Sequence, residues 1–142
     1  MKSVRGFTLL EAVIAAAIAA LFILSAAAGV QGFEAKYRLL GGVWEVESRL
    51  NAARFRAAAG GEPVRVRFGA AAVFLERRTS DPEGWVPFES HVLAGVWVRA
   101  NAAPVFLPQG TVSPLATIQV WNRAGRYRIT LAITGRIRAR PA

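Results

Sequence analysis

Hydrophobic and polar positions follow three different patterns along the chain. Between Phe7 and Phe33 almost every position is apolar or small, and the single charge is Glu11. Such a run is apolar on every side of a helix and long enough to span a bilayer. From Glu34 to about Ala59 the pattern becomes periodic. At about 100° per residue, Leu39, Val43, Val46, Leu50, Ala53 and Ala57 fall in one narrow stripe. Arg38, Glu45, Arg49 and Arg56 line up a quarter-turn away, with Glu45 and Arg49 spaced as an i,i+4 ion pair. Tyr37, Trp44 and Phe55 lie on a third side. Both apolar sides could be core; we expect a split, with the aliphatic stripe on this chain's own sheet and the aromatics facing a neighbour. No proline occurs before Pro63, so one helix is predicted from Phe7 to about Ala59, with Gly29 and Gly32 as softer points. Gly60-Gly61-Glu62-Pro63 ends it.

Beyond that stop the period changes to two. Val64–Phe68 alternates valine with arginine, and 72–77 follows as a second strand. Asp81-Pro82-Glu83-Gly84 reads as a turn, and 85–93, 95–99 and 104–107 as further strands. After Gln109-Gly110 come strands at 116–122, 126–133 and 136–140. Several short strands against one helix stripe predict an α+β fold, a long N-terminal helix packed on a small antiparallel β domain.

Composition narrows the chemistry. The chain has no cysteine and one histidine, His91, so thiol chemistry and a multi-imidazole zinc site are excluded. His91 lies in a predicted strand and reads as a surface or packed imidazole. With no nucleophile–base pair, metal cluster or phosphate loop in view, no enzyme, cofactor or metal is expected. The net charge of +9 matters for its placement. All nine acids lie between Glu11 and Glu89, and seven arginines follow Glu89 with no acid among them. That asymmetry suits a polyanionic partner.

The N-terminus admits three readings: a signal peptide cut near 25–28, a permanent anchor, or a leader cut before the apolar run. Glu11 discriminates, because a carboxylate in an apolar helix costs about 2.5–3.5 kcal/mol to insert. It stands in Gly6-Phe7-Thr8-Leu9-Leu10-Glu11, which resembles the prepilin peptidase recognition sequence of type IV pilins and type II secretion pseudopilins. The resemblance implies cleavage after Gly6, N-methylation of Phe7, and an assembly role for Glu11. Cleavage would remove Lys2 and Arg5 and leave a cationic amine on Phe7. Glu11 of one subunit could then pair with the Phe7 amine of the next, which offsets its burial.

The C-terminal stretch, Phe106-Leu107-Pro108-Gln109-Gly110-Thr111 followed by 116–122, 126–133 and Thr134-Gly135-Arg136-Ile137-Arg138, is similar to the GspH/FimT-type minor pseudopilins. That likeness implies a pilin-like fold and a subunit at or near the tip of a pilus or pseudopilus. Its partners would be other pilin subunits, the prepilin peptidase and the inner membrane, with the globular domain in the periplasm. Some relatives bind DNA through a C-terminal Gly-Arg-x-Arg motif, and Gly135-Arg136-Ile137-Arg138 fits it. If 133–135 forms a three-residue hairpin loop with Gly135 in the left-handed position, Ala132 pairs with Arg136. Arg126, Arg128, Arg136, Arg138 and Arg140 then share one face, while Ile129, Leu131 and Ile137 turn inward. This face suits double-stranded DNA, or else is a solvated strand surface that discourages edge pairing.

These readings divide the chain into a leader (1–6), a transmembrane and assembly helix (7–33), an amphipathic helix (34–59) and a β-rich domain (60–142). The expected function is a minor pilin that brings DNA to a type IV pilus tip; the alternative is a type II secretion pseudopilin that contacts protein cargo. Mass spectrometry of the mature protein should find a methylated Phe7 at the N-terminus. A start near Ala28 would instead establish the ordinary signal-peptide reading.

Overall fold

The computed structural model describes residues 8–79 and 84–142, with the backbone alone for 26–31. The expected leader, the cleavage and methylation positions Gly6 and Phe7, and Asp81, Pro82 and Glu83 of the expected turn lie outside the described residues. Two compact units are present, Met1–Glu34 and Ala35–Ala142. A single helix, α1 (Leu9–Gly60), contributes to both.

In the first unit α1 exposes Leu9, Leu10, Val13, Ile14, Ile18, Leu21, Phe22, Ile23 and Leu24, each at least half open. Ser25 returns its hydroxyl proton to the Leu21 carbonyl one turn back (2.8 Å), so its polar group is satisfied within the helix. Among the described residues no helix is long and apolar enough to cross a membrane; the described side chains of this run end at Ser25.

In the second unit the rest of α1 is followed, among the described residues, by nine strands: β1 (Val64–Phe68), β2 (Ala72–Arg78), β3 (Trp85–Val92), β4 (Trp97–Ala100), β5 (Val105–Phe106), β6 (Val112–Ser113), β7 (Thr117–Asn122), β8 (Gly125–Leu131) and β9 (Ile137–Pro141). They form two antiparallel sheets, ordered β3-β2-β1-β5-β6 and β4-β7-β8-β9. The expected α+β architecture is the observed one. Leu39, Val43, Val46, Leu50, Ala53 and Ala57 are all buried, in one core with Val64, Val66, Val73 and Leu75 of the first sheet and Val98, Ile118, Val120, Ile129 and Leu131 of the second. Tyr37, Trp44 and Phe55 are exposed, so the two apolar sides of the helix do separate. Past its end, Gly61 takes the left-handed conformation (φ 68°) that stops the helix ahead of Pro63.

Most strand boundaries move by a residue or two from expectation, and a few differences have a visible cause. The strand expected at 95–99 begins at Trp97, because Gly95 sits in a turn at φ 73° and Val96 leaves the strand to fill the core against Gly42. The strand expected at 104–107 shortens to β5, and that at 126–133 ends at Leu131, where the hairpin loop begins. β6 was not foreseen: two residues are too few to show an alternation.

Charged groups tie the helix to the first sheet. Arg49 donates to Glu45 (2.7 Å) and to Glu89 of β3 (2.7 Å), and Arg56 also pairs with Glu89. His91 completes the cluster, with Nε2 2.7 Å from Glu89 Oε1, so the lone histidine is a packed, hydrogen-bonded residue. Burial pushes the Glu89 carboxyl up, but the hydrogen bonds from His91 and Arg56 and their charges outweigh it and hold it below its ordinary value. On the outside of β1, Arg65 and Arg67 donate to the buried Glu76 (2.6 and 2.7 Å). They also lie over the rings of Trp85 and Phe74.

Leu50→Ala should lower unfolding stability by about 2–5 kcal/mol, the cost of a core cavity. Trp44→Ala should stay within about 0.5 kcal/mol, since its ring meets solvent within this chain. Urea denaturation of both variants checks the division of the helix into inner and outer sides.

Candidate functional site

Two places carry the candidate residues. The first is the start of α1. Glu11 N–H donates to Thr8 Oγ1 (3.3 Å), and Ala12 N–H donates to the Thr8 carbonyl (3.2 Å). Thr8 is therefore the cap, and Thr8-x-x-Glu11 has the spacing of a capping box, a local signal that the reading of Glu11 as an assembly residue passed over. A carboxylate in the first helical turn also meets the positive end of the helix dipole, worth about 0.3–1 kcal/mol. Glu11 thus has a local reason to stand where it does.

The second place is the outer face of the β4-β7-β8-β9 sheet. Here the hairpin decides everything. Leu131 pairs with Ile137, Thr130 with Arg138 and Arg128 with Arg140. Ala132 N–H donates to the Arg136 carbonyl (2.9 Å), and Gly135 N–H donates back to Ala132 (2.8 Å). This is the register that the three-residue loop requires. Gly135 is needed twice over: its φ is 73°, and a Cβ there would lie 2.6 Å from the Gly110 carbonyl oxygen and 2.9 Å from Arg54 Nε. Val112 N–H donates to the Ile133 carbonyl (3.0 Å) and anchors the loop from β6.

With that register Ile129 and Leu131 are buried and Ile137 is half-buried against the core. Arg126, Arg128, Arg136, Arg138 and Arg140 are all exposed on the opposite side. The sheet brings all five together. It also adds residues that sequence reasoning missed. Trp121 pairs with Arg126 and Gln119 with Arg128 across β7 and β8, while Trp97 pairs with Trp121 and Arg99 with Gln119 across β4 and β7. Alternation around the buried Val98, Ile118 and Val120 was the available signal for which side these residues face. It could not reveal that β4 lies beside β7.

The electrostatics separate this face from the first sheet. There, Arg65 and Arg67 of β1, and Arg49 and Arg56 of the helix packed against it, are each paired with an acid. Here, the side chains of Arg99, Arg128, Arg136, Arg138 and Arg140 make no ion pair or hydrogen bond among the described residues, and that of Arg126 only leans over the Trp121 ring at 5.7 Å. A flat, acid-free array of free guanidiniums can engage phosphates by forked hydrogen bonds, one or two per group.

The likeness to known proteins lies in the N-terminal motif and in the overall fold. Residues 1–27 match the family model of the prokaryotic N-terminal methylation motif. No curated protein matches the sequence. Among solved structures, the fold is similar to the minor pseudopilin EpsH from the type 2 secretion system of Vibrio cholerae, at TM-score 0.62 and 16% identity over 73% of this chain and 97% of that one. It is similar to the type IV minor pilin FimU of Pseudomonas aeruginosa, at TM-score 0.62 and 15% identity over 75% of this chain and 90% of that one. GspH from E. coli gives TM-score 0.62 and 15% identity over 75% of this chain and 89% of that one. The chain thus has the fold of minor pilins and pseudopilins and carries a prepilin-type N-terminal motif.

Proposed function

We propose that this chain is a minor pilin that assembles at or near the tip of a type IV pilus and presents its basic sheet face to DNA during uptake. The observation that carries this reading is the set of exposed, unpaired arginines on the outer face of β4-β7-β8-β9, with no acid on that face among the described residues. In a solvated surface kept only for solubility, acids would be expected to interleave with the arginines, as they do along α1 and between α1 and β3.

The maturation route follows from the N-terminal motif. The prepilin peptidase cuts between Gly6 and Phe7, and the Phe7 amine is methylated. The exposed apolar helix surface holds the subunit in the inner membrane, with the globular domain in the periplasm, until it joins the filament. Surfaces that open to solvent as Leu9, Leu10, Ile14 and Phe22 do here need either lipid or other pilin helices around them. Tyr37, Trp44 and Phe55 contact a neighbouring subunit. A second reading is favoured by the likeness to EpsH, which equals that to FimU in TM-score: a pseudopilin of a type II secretion system whose outer face meets protein cargo.

Two experiments test these roles. Glu11→Ala should still insert into the membrane and fail to enter filaments. Glu11→Gln, which preserves the side-chain length at the cap, should fail as well if the charge pairs with a neighbour's amine. Filament incorporation of the Gln variant at wild-type level would return Glu11 to a purely local helix-start role. For the DNA face, duplex titrations of the full chain in neutral detergent should give a log–log salt slope of roughly −3 to −5, from three to five phosphate contacts. Arg136→Gln/Arg138→Gln should flatten it by about 2 and weaken all sequences alike. Equal affinity and slope in wild type and variant would remove the arginines from any DNA role and leave the secretion reading.

A further inference from the structure

The arginines do not account for the whole of this face. At its β4 end stand two tryptophans, directly opposite each other on adjacent strands: Trp97, 55% exposed, and Trp121. Both project outward, because Val98 and Val120 beside them are buried. Neighbouring strands lie about 4.8 Å apart, so the two indoles form one continuous aromatic patch beside the guanidinium field. Large aromatics on a strand face normally gain by burial in a core. Trp97 keeps more than half of its surface in water instead. Arg126 lies over the Trp121 ring, 5.7 Å from its centroid, so a face of that indole is open to a flat cation.

Duplex DNA gives such a patch nothing to do, since its bases are stacked on one another inside the helix and only its phosphates reach a flat surface. An unpaired strand offers both parts: bases with free faces to stack on indole, and phosphates for the arginines. Gln119 and Arg99 lie one row further along the same two strands, with Gln119 opposite Arg128 of β8. Their amide and guanidinium can reach base edges and the backbone of a strand that crosses the sheet. Aromatic platforms with flanking cations are the usual means of holding single strands without sequence preference.

We infer that this face is a single-strand platform: Trp97 and Trp121 stack unpaired bases while the arginines of β4, β8 and β9 hold the phosphates. The inference rests on the DNA reading above and names the form of DNA that the face prefers. A single-stranded segment, at a frayed end or in a displaced strand, is its ligand.

The test is a titration of the full chain in neutral detergent with an oligothymidine of about 16 nucleotides, the upper end of the site size for one small platform, and with a duplex of the same length at the same salt. The single strand should bind more tightly and quench tryptophan emission. Trp97→Ala should lose roughly 5- to 100-fold in single-strand affinity, the contribution of one stacked base, together with most of the quenching, while duplex affinity changes less than about twofold. Trp97→Phe should recover most of the loss, which separates stacking from any effect on folding. Equal binding of the two forms, or equal losses for both in Trp97→Ala, would overturn the platform and leave the duplex reading standing. Binding of neither form by wild type at low salt would overturn both.

Discussion

The stripe of Leu39, Val43, Val46, Leu50, Ala53 and Ala57 is the surface on which the second unit depends, because both sheets bury their inner faces on the same core that it enters. Neither sheet could stand alone. β5 and β6 are two residues each, and a sheet with one apolar face must bury it against another element. Alanine at 53 and 57 keeps the far end of the stripe narrow, and Gly42 leaves room for Val96 where an added Cβ would come within 2.6 Å of it. Close packing of this kind is intolerant of displacement, so the helix and the strand order determine each other.

Once the inner faces are committed to the helix, the outer faces are free to differ, and they do. The first sheet spends its outward charge internally. Glu76 is clamped between Arg65 and Arg67 on the outside of β1, while on the helix side Glu89 gathers Arg49, Arg56 and His91. A buried carboxylate demands such partners, because an uncompensated charge there would cost several kcal/mol. The second sheet carries arginines without acids and indoles without a covering layer. Its inner side does the structural work, so the outer residues are available to a ligand.

The Gly135 hairpin is the hinge between these two uses of one strand pair. Its left-handed glycine, beside which the Gly110 carbonyl leaves no room for a Cβ, fits the loop at three residues. A loop one residue shorter would turn every side chain of β9 over, driving Arg138 toward the core and Ile137 into water. The position of the basic face is thus a consequence of backbone geometry at one turn, and its charge is a consequence of which residues alternate on either side.

Local signals in the chain were enough for a good deal of this. The period of 3.6 identified the six buried helix positions, the Gly-Gly-Glu-Pro stop ended α1, and the period of two with a left-handed glycine placed five arginines together. Each of these depends only on neighbours within a few residues, where the sterics of the backbone and the demand for one buried face leave few choices. Trp97, Gln119, Trp121 and Arg99 joined the site only in the folded chain, since the pairing of β4 with β7 links segments separated by the β5–β6 excursion. The clamp on Glu76 and the meeting of Glu89 with α1 are of the same kind. Sequence alternation says which side of a strand a residue takes; which strand lies beside it is settled by how the whole core closes, and that is a property of the tertiary structure alone.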